Sequence, residues 1–94
     1  MSTLYLYATS AAASGNEFTL DAGTSQAFWC DPGLGSNESL QLFIKNSTTG
    51  RFTNVGTLCN SGNQTGVVTA QGSSSSTFQV RKSATDGNKG VYFD

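Results

Sequence analysis

The chain has 94 residues, 36% apolar and 12% charged, with a formal net charge of −1. Near-zero net charge and ten aromatic side chains exclude the disordered class, which needs the opposite balance. Only five residues are basic and only Arg81 and Lys82 are adjacent, so the clustered cationic face that holds a phosphate backbone is not expected, and no nucleic acid partner is read.

A chain of this length makes one domain spanning residues 1–94. Its polar part is hydroxyl- and turn-rich, with 25 Ser and Thr, 11 Gly and 7 Asn. The core is expected to be thin, and support from a disulfide or from self-association is expected with it. No apolar run approaches the ~18–20 residues of a spanning helix, so no membrane segment is read. The start, Met1-Ser-Thr-Leu-Tyr-Leu-Tyr-Ala8, lacks the basic region of an export signal and reads as a chain beginning at its own methionine.

In chain order, the first expected strand is Thr3 to Ala8. Both of its faces carry large side chains, Leu4 and Leu6 on one and Tyr5 and Tyr7 on the other. Such a strand is expected to be covered twice, the second time by a neighbouring subunit. Ala11 to Ala13, flanked by Ser10 and Ser14, offers a single helical turn. Glu17 to Leu20 and Gln26 to Cys30 are short strand candidates. Ser39 to Lys45 alternates clearly, with Leu40, Leu42 and Ile44 on one face and Gln41 and Lys45 on the other. Arg51 to Leu58 and Gly66 to Ala70 follow, and then Ser73 to Ser76 reads as a flexible loop. Thr77 to Lys82 alternates again, with Phe78 and Val80 inward against Thr77, Gln79 and Arg81. Gly90 to Phe93 closes the chain.

Between these runs lie glycine, asparagine and aspartate clusters such as Asp31-Pro-Gly-Leu-Gly35 and Asp86-Gly-Asn-Lys-Gly90, which carry turn chemistry. About eight short strands at roughly ten-residue spacing predict an all-β fold, a single-domain antiparallel β-sandwich or jelly-roll-like arrangement.

Catalytic chemistry is not expected. Histidine is absent, which removes Ser-His-Asp and Cys-His activation and the usual zinc ligand. The carboxylates Glu17, Asp21, Asp31, Glu38, Asp86 and Asp94 sit mostly at turns, where backbone hydrogen bonds are their ordinary use. Asp86-Gly-Asn88 lacks the later acidic ligand of a calcium loop and reads as a hairpin turn. No catalytic residue, cofactor or metal site is assigned. Asn37, Asn46 and Asn63 open Asn-x-Ser/Thr sequons, where so hydroxyl-rich a chain produces about two by chance, so they assign no glycosylation.

Cys30 and Cys59 leave two readings open. A bond between them would close a loop of about 30 residues and contribute ~3 kcal/mol; two buried free thiols would act as small apolar residues. Leu4, Tyr5, Leu6, Tyr7, Phe28 and Trp29 are the expected interface residues.

Thr77-Phe-Gln-Val-Arg-Lys-Ser-Ala-Thr85 followed by Gly90-Val91 resembles the ending of small β-rich structural proteins of tailed phages. That resemblance implies a capsid decoration (cement) protein on the virion surface, or otherwise a head-fibre or tail component, assembled in the host cytoplasm. It implies a homo-oligomer, most often a trimer, whose partners are the major capsid protein or other virion subunits. The competing expectation is a secreted carbohydrate-binding or adhesion module in which Trp29, Tyr5 or Tyr92 stacks on a glycan.

Overall fold

A computed structural model describes residues 2–72 and 74–94. Nine strands make up its regular structure: β1 (Thr3–Thr9), β2 (Ala13–Ser14), β3 (Phe18–Leu20), β4 (Ser25–Asp31), β5 (Ser39–Lys45), β6 (Phe52–Asn60), β7 (Thr65–Thr69), β8 (Ser76–Lys82) and β9 (Lys89–Phe93). The eight expected strands are all present, each boundary within two residues of its sequence reading. Among the described residues there is no helix, so the expected turn at Ala11–Ala13 does not form. Three alanines cannot meet the cost of nucleating a helix. Ala13 and Ser14 instead take ladder positions opposite Lys82 and Arg81, forming β2. In the serine tract Ser76 already belongs to β8, while Ser73 lies outside the described residues.

The strands form two antiparallel sheets. The first runs β1-β9-β4-β7; the second runs β2-β8-β5-β6, with β3 continuing β2 along the same edge of β8. If β2 and β3 are taken as halves of one interrupted strand, the pairings nest: β1 with β9, β2/β3 with β8, β4 with β7, β5 with β6. Rolling that nested ribbon lays β4 against β9 and β5 against β8, both of which pair. The result is a jelly-roll β-sandwich.

The core lies between the sheets. Leu40, Val80 and Phe78 enter from the second sheet, and Phe28, Val68 and Val91 from the first, all nearly or fully enclosed. Leu42 and Ile44 pack on this core as their alternation predicts. On β1 the alternation breaks, because a register shift between Leu4 and Leu6 turns both Tyr5 and Leu6 inward.

At two glycines there is no room for a side chain. A Cβ at Gly66 would overlap the Leu58 carbonyl, where β7 of one sheet passes β6 of the other. A Cβ at Gly15 would overlap the Tyr5 ring. Gly15 lies in the interruption between β2 and β3, and the Tyr5 hydroxyl fills the gap left there. It accepts from the Val80 N–H at 3.1 Å and donates to the Asn16 carbonyl at 2.5 Å. The Tyr5 ring meets Phe18, Phe28 and Phe93 edge-on, at centroid distances of 5.8, 5.3 and 6.2 Å. One side chain therefore ties β1 to the facing edge of the opposite sheet.

Candidate functional site

The outer face of the first sheet carries a straight row of side chains from four strands. Leu4 lies opposite Tyr92, Tyr92 opposite Trp29, and Trp29 opposite Thr65. Their inward neighbours Phe28, Cys30 and Val91 are buried, so alternation turns this row outward. Tyr7 and Val67 extend it, at 68% and 61% exposure, and Leu4 is 52% exposed. Three of the large exposed apolar side chains thus share one sheet face with Trp29 and Tyr92. None of the five basic residues is carried by β1, β4 or β7, and the one on β9, Lys89, is buried.

The six residues expected at an interface divide between this face and the core. Leu4, Tyr7 and Trp29 are on the outer face. Tyr5, Leu6 and Phe28 point inward; Leu6 and Phe28 are 4% and 0% exposed and offer nothing to a partner. The shift in β1 is the reason: a strict alternation would place Tyr5 with Tyr7 and Leu4 with Leu6, and neither pair shares a face here. Of the three aromatics weighed for sugar stacking, Trp29 and Tyr92 are cross-strand neighbours, and Tyr5 is committed to the core.

Cys30 on β4 and Cys59 on β6 enter the core from opposite sheets as buried free thiols. The Cys59 thiol donates to the Phe28 carbonyl at 3.4 Å. Burial pushes both thiols up, Cys59 to about 11, with the proximity of Cys30 a second cause. At neutral pH both are protonated and poorly nucleophilic.

One end of the sandwich is closed by buried charges. Glu38 accepts from Lys89 Nζ at 2.6 Å, from the Gly35 N–H at 2.7 Å and from the Asp86 N–H at 2.6 Å. Lys89 also donates to the Gly33 carbonyl at 2.9 Å. The Lys89 hydrogen bond, followed by the two backbone donors, holds the Glu38 carboxyl down at about 2. Beside it, Lys82 is 2% exposed and donates to the carbonyls of Ala11 and Ser83 and to the Thr85 hydroxyl. Apart from the Gly35–Glu38 bond, which lies within one loop, each of these contacts joins a loop to a strand or to another loop. The Asp86–Asn88 segment is used in this way, with the Asp86 N–H bound to Glu38. Among the described residues no three His, Cys, Asp or Glu gather as a metal site.

Sequence reasoning missed the outer face of the second sheet. The Arg81 guanidinium carbon lies over the Phe43 ring, 3.9 Å from its centroid, with the Phe52 ring centroid at 5.6 Å. Its Nε–H donates to Gln79 Oε1 at 2.8 Å. Nearby, Gln41 exchanges hydrogen bonds with Thr57 at 3.0 and 3.2 Å. The available signal was parity: Phe43 falls on the Gln41/Lys45 side of β5, an outward position for a large aromatic. At one end of this sheet a cleft of about 360 Å³ is bordered by Ile44, Lys45, Ser47, Ser75, Ser76 and Thr77. Its Lys45 is engaged by Glu17 at 3.0 Å.

The chain matches no protein-family model, no curated protein and no solved structure.

Proposed function

We propose that this protein is a non-catalytic structural subunit of a virus particle, a decoration protein coating or stabilising a tailed-phage head. The observation that carries the reading is the uncharged Leu4–Tyr92–Trp29 row, extended by Tyr7 and Val67. A face of this kind, aromatic and free of lysine and arginine, has the composition of an interface core. Its natural use is to pack against a second copy of the chain or against the capsid lattice, and the resemblance to phage decoration proteins makes a trimer the favoured assembly. The resemblance of residues 77–85 and 90–91, which fall on β8, its following turn and β9, supports the phage assignment. The jelly roll itself serves capsid and sugar-binding proteins alike and does not choose between them.

One observation favours the second reading, a carbohydrate-binding module. Trp29 and Tyr92 are adjacent on an exposed face, which would suit the flat face of a sugar ring. Light scattering separates the two. A trimer has a mass of about 29 kDa, three times the chain's 9.8 kDa, and Trp29→Ser with Leu4→Ser returns it to the monomer. Binding to emptied phage heads then tests the capsid assignment directly. A monomer at all concentrations whose single tryptophan, Trp29, responds to added oligosaccharide overturns the assembly reading.

A further inference from the structure

The five basic residues of the chain are unevenly spent. Lys82 and Lys89 are buried with their partners inside the protein. Of the remaining three, Lys45 and Arg81 lie on β5 and β8 of the second sheet, and Arg51 closes the β5–β6 turn just before β6. One of the exposed acids, Glu17, is with them and is taken up by Lys45. Asp21, Asp31 and Asp86 lie elsewhere, on the β3–β4 turn, the end of β4 and the β8–β9 loop. The second sheet and the turn beside it thus carry the three solvent-reaching basic side chains, of which Lys45 is already paired with Glu17.

Arg81 is the built element of that face. The Phe43 ring beneath it and the Nε–H bond to Gln79 hold its guanidinium in place. Its two terminal NH2 groups donate to nothing among the described residues. A guanidinium already immobilised loses little further freedom on binding, and its paired N–H groups match the two oxygens of a carboxylate. Around it Phe43 and Phe52 are half-buried, and Gln41 is hydrogen-bonded to Thr57 and Ser39. Arginine and phenylalanine at the centre with amides at the side is the make-up of a protein-binding hot spot rather than of a polyanion groove, which needs a run of cations.

We propose that the outer face of the second sheet docks an acidic protein surface, with an Asp or Glu carboxylate of the partner seated on the Phe43-stacked guanidinium of Arg81. The docking is independent of the assembly reading, which uses the opposite sheet. A partner held here leaves the Leu4–Tyr92–Trp29 row free.

The test uses isotope-labelled full-length protein titrated with a soluble random glutamate–tyrosine copolymer, which presents carboxylates beside aromatic rings. Shifts are expected at the amides of Gln41, Phe43, Gln79 and Arg81 and at the Arg81 Nε–H, with those of Leu4, Trp29 and Tyr92 unmoved. Arg81→Lys, which keeps the charge but loses the stacked fork, is expected to weaken binding about tenfold. Arg51→Gln is expected to weaken it less than about threefold. Four results overturn the proposal: no shifts in the wild-type protein, equal binding by Arg81→Lys, tighter binding of a sulfated oligosaccharide at the same salt, or the same amides shifting with protein concentration alone. The third result makes the occupant a polysaccharide, and the fourth makes it a second copy of this chain. The wild-type map does not depend on any variant folding, and it reads the docking face whether or not the protein is a trimer.

Discussion

Removal of a single oxygen, by Tyr5→Phe, is expected to destabilise this protein more than its size suggests. The ring contacts with Phe18, Phe28 and Phe93 survive the change. What is lost is the hydroxyl that stands in for a missing ladder rung between β8 and the β2–β3 strand. The Val80 N–H then has no acceptor, at a residue with 0% exposure, and the Asn16 carbonyl loses its donor. Each bond contributes about 0.5–1.5 kcal/mol net, and an orphaned buried donor costs about 1–3 kcal/mol. Together these give a loss of about 2–3 kcal/mol, and a fall in melting temperature on the order of 10–20 °C. Urea unfolding read by the fluorescence of Trp29, the single tryptophan, measures the change, and the denaturant slope should stay the same. Tyr92→Phe, on the outer face, is the control and should change stability by less than about 0.5 kcal/mol. If Tyr5→Phe proves as mild as that control, the hydroxyl is not bridging the sheets and the account of the strand interruption fails.

Other outcomes follow from the same geometry. Gly66→Ala forces the new methyl into the Leu58 carbonyl, a backbone atom that cannot step aside, so β6 and β7 must separate; a loss of at least about 2 kcal/mol is expected in the same urea assay. Glu38 is held at about 2 in the folded state against 4.5 for the ordinary side chain, so its ionised form favours folding above pH 4.5. That contribution drains away as the pH falls from there through 2, and Glu38→Gln should flatten this part of the urea-midpoint profile; an unchanged slope removes Glu38 from the account. Burial holds both thiols up, Cys59 at about 11, so alkylation at pH 8 should be slow in the native protein and rapid, at two groups per chain, in urea. Fast native labelling of either thiol would mean that the end of the core opens readily.

Much of the fold is written in local alternation. Leu40, Phe78 and Val80 face the core as their period of two requires, and the bounds of β5 match the sequence reading at both ends. Strand order is not local, since β1 pairs with β9 across nearly the whole chain and nothing in either segment names the other. β2 was illegible because two residues have no period, and they become a strand only because β8 has a free edge. The site was half legible. Trp29 and Leu4 lie on the face that parity allows, but the shift in β1 that buries Tyr5 has no signature in Leu4-Tyr5-Leu6 itself. Lys82 and Phe43 are the reverse case. Parity with Val80 puts Lys82 inward, and parity with Gln41 puts Phe43 outward. Residue type argues against both placements, and in both the structure follows parity, supplying the misplaced group with a partner: carbonyls for Lys82, the Arg81 guanidinium for Phe43.

Those placements bear on how so small a sandwich holds together. A thin core with a single disulfide would be an ordinary solution for a chain of this size, yet Cys30 and Cys59 stand as free thiols. The connections between the sheets are polar instead: the Tyr5 hydroxyl on Val80 and Asn16, and the Cys59 thiol on the Phe28 carbonyl. At the closed end, Lys89 of the first sheet is gripped by Glu38 beside β5 of the second. Burying an ion pair is weak support for stability in itself, because desolvation offsets most of the attraction. Here each charge also binds loop backbone, Gly33, Gly35 and Asp86 around the pair and Ala11 and Ser83 around Lys82. Those loops contribute Leu34 as their one buried apolar side chain, and the bonds of Leu34 to Gln64 and of Ser83 to Ser39 add to the polar anchoring. The buried charges therefore act by giving long glycine-rich connections a single conformation. That leaves the apolar side chains of β1, β4, β7 and β9 that the core does not use free to form an outward face.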